Sequence, residues 1–283
     1  MAARPITSAQ AGNSSIRGLR TAGEFGAILA LAILGASMLL RLTTIFGADG
    51  QTISTLPPAI ESATRMVHRL AASGVGLLAM CAVFLCWSRR PLPGRIVKPL
   101  ASIVAATIGL AVIGPLTPGY RVAAVTVANV AGGVVLLIAF WWLRESVATY
   151  SAARKPVESL ARAAIIVLLL HVTTGAAASA NEMHGIRWFA FVHLGTAMLL
   201  IMFVGASLWE CRREPSLAGW SATTTIFMAA QWGLGFALMS HDSRPVWLGL
   251  LHGMLSPMLA IALVSLAIRG ANTHASAGIL AAQ

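Results

Sequence analysis

The stretch Met66-Val67-His68-Arg69-Leu70-Ala71 sets a histidine and an arginine about one turn inside an apolar run over roughly residues 63–87. A helix needs ~20 apolar residues to cross the hydrocarbon core of a bilayer, and this run supplies them. Ionisable side chains at that depth are costly to bury, so by default they mark function. A related stretch, Phe191-Val192-His193-Leu194-Gly195-Thr196, follows 125 positions later (193 − 68), again early in an apolar run. Two histidines in matched places point to a duplicated site.

The chain around these stretches is a membrane protein by composition. It has 283 residues, 57% hydrophobic and 10% charged, where a soluble domain carries about 25% charged residues. The net charge of +11 does not indicate nucleic acid, because the basic residues sit between apolar runs instead of forming a patch. Eight runs span about 24–46, 63–87, 99–115, 121–143, 160–180, 188–210, 217–239 and 246–268. They lack the two-residue alternation of barrel strands, so the expected fold is all-α and integral to the membrane. Residues 1–23 are polar and the run after them lacks a clear cleavage site, so it reads as a retained first span and not a removed signal peptide. Fourteen of the 20 Lys and Arg residues fall on one side of the predicted spans. The positive-inside bias places that side, and both termini, in the cytoplasm of a plasma-membrane protein. Cys81, Cys86 and Cys211 have neither zinc-site nor disulfide spacing and read as buried small hydrophobes. Seven tryptophans, Trp141 and Trp220 among them, lie near span ends as expected of interfacial belt residues.

The order of features suggests two halves. A cytoplasmic tail (1–23) precedes four spans (24–143), a cytoplasmic connection (144–159), four more spans (160–268) and a C-terminal tail (269–283). Leu40-Arg41-Leu42-Thr43-Thr44 in the first span is echoed by Leu170-His171-Val172-Thr173-Thr174 in the fifth. Asn129 in span 4 and His252 in span 8 occupy corresponding places. The halves are therefore expected as two four-helix bundles related by a pseudo-two-fold axis along the membrane normal.

His68, His193 and His252 all lie one to two turns below the outer surface, whereas His171 lies deeper with no evident partner at its depth. His193 and His252 share a depth within one half. Two imidazoles facing each other across a bundle can ligate an iron porphyrin axially, with its propionates near Arg187 and Arg244 at the rim. The bland alternative is a pair of interhelical hydrogen-bonding histidines. Zinc is a weaker reading, since it wants a compact set of three or four ligands. Proton relay is disfavoured by the scarcity of carboxylates at depth.

In these features the sequence resembles the heme A synthase family. The resemblance covers most of the chain: eight spans, two halves, His68-Arg69 near the outer end of span 2, His193 in span 6 and His252 in span 8. It implies a heme b between His193 and His252. It also implies an N-terminal site where heme O is oxidised to heme A for cytochrome oxidase, with His68 ligating the substrate heme. The chain departs from the family in that half: Arg65 stands in place of a glutamate three residues before His68, and Asn129 in place of a histidine. Leu194 replaces an arginine after the span-6 histidine. Glu61, seven residues before His68, is the one acid available as a catalytic substitute; its ordinary reading is an acid favoured at a helix N-terminus. Arg65 and Arg69 form an electropositive rim suited to propionates or lipid headgroups. Two functions therefore stand together: a divergent heme A synthase, or a non-catalytic heme b subunit that passes electrons or stabilises a respiratory complex. The expected partners are heme, the lipid bilayer, and respiratory-complex subunits or further copies of the chain.

Overall fold

The computed structural model describes residues 8–46, 52–87, 94–116, 123–148, 155–182, 188–240 and 245–271. Eight helices account for nearly all of them: α1 (Ser8–Leu42), α2 (Pro58–Trp87), α3 (Gly94–Ile113), α4 (Ala123–Ser146), α5 (Lys155–Glu182), α6 (Trp188–Cys211), α7 (Ala218–Ser240) and α8 (Val246–Ala271). Seven of these are long and apolar enough to cross a membrane, so this is a multi-pass helical membrane protein. The exception is α7, whose run contains Ser221, Thr223, Thr224, Thr225 and Gln231. Its three threonine hydroxyls donate to the carbonyls four residues back, at 2.7 to 2.9 Å. Polar groups satisfied within their own helix suit an apolar surrounding.

Several boundaries differ from the sequence reading. The first span was expected over 24–46, but α1 begins far earlier and ends at Leu42. Beyond it, Thr44–Phe46 (β1) pairs antiparallel with Thr52–Ser54 (β2), with Ile45 opposite Ile53. A two-stranded ribbon thus stands where strands were not expected. Its β-branched residues favour extended backbone, and the bond from Thr55 N–H to the Thr43 carbonyl (2.8 Å) closes its base. The connection expected at 144–159 is shortened from both ends, by α4 running to Ser146 and α5 starting at Lys155. Cys81 faces outward, not inward as expected; Cys86 and Cys211 are buried, and all three are free thiols.

Helix packing follows a repeated pattern. In the first half α1 packs on α2 and α4, and α3 on α4, while α2 and α3 touch little. In the second half α5 packs on α6 and α8, and α7 on α8, while α6 and α7 touch little. The halves meet where α4 lies against α5 and α8, and α1 against α8. The largest hydrophobic core is accordingly continuous across both halves, with Leu34, Leu137, Phe140, Leu168, Leu259 and Leu263 buried together. The outer faces of α2 and α6 present Leu70, Phe84, Phe191 and Met202 outward, as a lipid-facing surface requires.

One polar knot ties the halves at the end opposite the histidines. Glu145 on α4 is fully buried and is ion-paired to Arg144 and to Arg269 of α8, the latter at 3.2 Å. Ser265 Oγ lies 3.5 Å from the same carboxylate, donates to the Ile261 carbonyl at 3.0 Å and accepts from Trp141 Nε1 at 2.8 Å. Arg144 and Arg269 lie over the rings of Trp141 and Trp220, which meet edge to face. These two half-buried tryptophans, near helix ends as expected, pack into this knot. A carboxylate out of water persists only when its charge is paired and its lone pairs are occupied, and this knot supplies both.

Candidate metal centre

Four helices each bring a short polar face to one place in the second half: His171, Thr174 and Gly175 on α5, His193 and Thr196 on α6, Gln231 and Gly235 on α7, His252 and Ser256 on α8. The spacings of three and four residues put each set on one side of its helix. The ring nitrogens of His171, His193 and His252 include one from each that all lie within 4.8 Å of one another. His171 is buried and the other two are half-buried.

The ring nitrogens are not equivalent. His193 Nδ1 lies 3.0 Å from the His171 carbonyl, and His252 Nδ1 lies 3.2 Å from the Gln231 carbonyl. A main-chain carbonyl only accepts, so each Nδ1 carries the proton and each Nε2 keeps its lone pair. This is the tautomer a metal-ligating histidine needs, held by an outer-shell acceptor. Both acceptors have a glycine four residues on, Gly175 and Gly235. A Cβ at Gly175 would lie 2.7 Å from His193 Cε1, so only glycine admits the ring there. At Gly235 a Cβ would lie 3.3 Å from His252 Cε1, a tighter than ordinary contact. The same device, a carbonyl with a glycine one turn on, thus seats both imidazoles.

Ring orientation decides which histidines can share an ion. The lone pair of an imidazole nitrogen lies in the ring plane, so a ligated ion lies in that plane too. His171 and His193 are stacked, with centroids 4.0 Å apart and planes 15° apart. Two nearly parallel planes offset in this way have no common point between them for one ion. His193 and His252 have centroids 6.4 Å apart and planes crossed at 81°, and crossed planes do have one. Three imidazoles in reach look like the compact set zinc wants, but the stack prevents all three from converging. His171 instead acts through His193: its carbonyl takes the Nδ1 proton and its ring covers one face. Its own Nδ1 lies 3.3 Å from Thr196 Oγ1, which is 3.1 Å from Thr174 Oγ1. The expectation that His171 has no partner at its depth is corrected. It sits beside His193 because α5 and α6 run antiparallel, so a residue late in one helix meets a residue early in the next.

The first half is built differently. His68 Nδ1 lies 3.0 Å from Ser37 Oγ of α1, and His68 joins no cluster of three or more metal-binding side chains among the described residues. Asn129 is on α4 and makes contacts of its own. Glu61, the proposed substitute acid, accepts from Arg65 Nε at 2.9 Å and Nη2 at 2.6 Å. It occupies the first turn of α2 as an ion-paired N-terminal acid, which is its ordinary reading. Arg69 is exposed on α2. An apolar groove of about 580 Å³ runs beside His68's helix, lined by Gly35, Leu39, Ala63, Val67 and Met254 among others. Arg187 and Arg244 lie outside the described residues.

Sequence reasoning gave no role to Thr174 and Thr196, which stand in the repeated stretches, and missed Gln231 and Ser256, the rest of the polar frame around the histidines. Their signal was present as lone polar residues in apolar runs, but its meaning depends on which helices adjoin. No protein-family model matches the chain, and no curated protein matches it.

Proposed function

We propose that this chain is a heme-binding membrane protein of the heme A synthase type, holding heme b between His193 and His252. The observation that carries the reading is the crossed imidazole pair with both Nδ1 atoms donated to carbonyls. Ring centres 6.4 Å apart leave room for one ion between two imidazole nitrogens that would each hold it at ~2 Å. Bound there, a heme would supply one-electron redox chemistry, and the two imidazoles with their hydrogen bonds would tune its potential. His193 and His252 bind the iron, the His171 and Gln231 carbonyls orient them, and Arg187 and Arg244 are assigned to the propionates.

The repeated packing pattern supports two pseudo-two-fold-related bundles: α1–α2, α1–α4 and α3–α4 correspond to α5–α6, α5–α8 and α7–α8. The satisfied threonines of α7 support an eighth crossing, and the basic residues support cytoplasmic termini in the plasma membrane. On this reading the first half is the heme O site, with His68 as its ligand and the neighbouring groove beside it.

A second reading is favoured by a specific observation: Glu61 is tied to Arg65, and among the described residues His68 joins no cluster of three or more metal-binding side chains. The chain is then a non-catalytic heme b subunit, carrying electrons or supporting a respiratory complex. Heme extraction and reduced-minus-oxidised spectra of the purified protein separate the two. One heme b per chain, lost in His193→Ala and His252→Ala and kept in His68→Ala, supports the second. Conversion of heme O to heme A by cells carrying only this copy supports the first. Protein that purifies and reconstitutes without heme refutes both.

A further inference from the structure

Gln231 engages both nitrogens of one imidazole. Its carbonyl accepts from His252 Nδ1, while its side-chain Nε2 lies 3.4 Å from His252 Nε2, the nitrogen whose lone pair a metal would take. The same Nε2 donates to Ser256 Oγ at 3.0 Å. The amide thus spends its N–H donors on His252 and Ser256, and its own oxygen, Oε1, is buried without a hydrogen-bond partner. Gln231 is itself buried, and so is Ser256. A buried acceptor left unpaired is costly, so this amide orientation is a poorly satisfied one held by its contact with the imidazole.

A second orientation is within reach. Ser256 has a hydroxyl that both accepts and donates. Turning the amide by half a turn brings Oε1 to Ser256 and lets the hydroxyl donate to it, while the N–H donors move to the place where Oε1 now has no partner, so the two states each leave one end of the amide unsatisfied and the occupant of His252 Nε2 decides between them. The turn also withdraws the N–H from His252 Nε2 and frees its lone pair. We infer that Gln231 is a positioning residue with two states: its amide caps His252 in the empty site and turns onto Ser256 when a metal takes the imidazole. This rests on the reading of His252 as a ligand. It adds that ligation at His252 requires displacement of the cap, which nothing in the surroundings of His193 requires. There the polar neighbours of the ring among the described residues, Thr174 Oγ1 and the His171 carbonyl, both face Nδ1 and leave Nε2 uncapped.

The test uses full-length protein in detergent, with two readouts. The first is the ¹⁵N shift of His252 Nε2 in ligand-free protein, which reports the cap without any metal. The second is the rate at which added hemin develops its bis-imidazole spectrum. Gln231→Met keeps the volume and removes the amide; Gln231→Asn keeps an amide too short to reach the ring. Both are expected to move the His252 Nε2 shift to that of a free lone pair, leave His193 unmoved, and speed hemin association on the order of fivefold, the worth of one ordinary hydrogen bond. Ser256→Ala, which removes the second resting place of the amide, is expected to slow association. If the wild type takes up hemin but both Gln231 variants leave shift and rate unchanged, the cap is overturned and the heme reading stands. If the wild type takes up no hemin, the heme reading falls and the gate with it, whatever the shift does.

Discussion

Gly175 and Gly235 offer a graded test of how the imidazoles are seated. Gly175→Ala puts a methyl 2.7 Å from His193 Cε1 and 3.0 Å from its Nδ1. Ordinary contact begins near 3.4 Å, so the ring must retreat by roughly 0.7 Å, taking Nδ1 away from the His171 carbonyl. A hydrogen bond of this kind contributes ~0.5–1.5 kcal/mol net, and the displaced Nε2 also loses alignment on the ion. Heme affinity is expected to fall by about tenfold or more, since ~1.4 kcal/mol is a factor of ten. Gly235→Ala meets His252 Cε1 only at 3.3 Å, and a shift of about a tenth of an ångström relieves it, so its affinity loss is expected within about twofold. Both changes replace glycine inside a helix by alanine, which favours the helix by up to ~1 kcal/mol. The helix gain and the lost hydrogen bond are of similar size, so the ligand-free Gly175→Ala protein should melt close to the wild type while binding heme more weakly. Soret titration gives the affinities and circular dichroism the melting curves. Unchanged affinity in Gly175→Ala, or a larger loss in Gly235→Ala, refutes the seating derived from the glycines.

Two further outcomes follow from the packing. Glu145→Ala removes the buried carboxylate shared by Arg269 and Arg144, leaving Arg144 its pair with Glu24, and breaking such a buried pair typically costs ~3–5 kcal/mol; the variant should lose folded protein in detergent far more than Glu61→Ala, which disturbs an ion pair with Arg65 and a contact with Ser54 at the start of α2. Denaturant or thermal unfolding of the two variants checks this. His171→Leu removes the stacked ring but keeps the carbonyl that holds His193, so one heme b per chain should remain, at a shifted potential; loss of the heme from this variant alone makes His171 a ligand and overturns the stacking argument.

Much of the architecture was legible in the chain. Long apolar runs with few charges have one economical state in a bilayer, the helix, because it alone satisfies every backbone group within the segment. Seven of the eight runs bear this out, and their cores fall where they were read. The errors lie at the ends. Polar helix such as the start of α1 carries no hydropathy signal, and the β1–β2 ribbon is too short to show alternation.

The histidines were legible as a depth but not as a site. Position along a run gives distance from the surface, and that placed His193 and His252 together in one half. It could not show that His171, on the neighbouring antiparallel helix, stacks against His193, nor that Gln231 reaches His252 Nε2. Those facts depend on helix rotation and on which helices adjoin, and both are set by close packing between residues far apart in sequence. The sequence by itself determined a helical membrane protein with imidazoles set within its apolar runs. Only the tertiary structure decided which two of them can share an ion, because that depends on the angle between ring planes, and the carbonyls and glycines of other helices fix it.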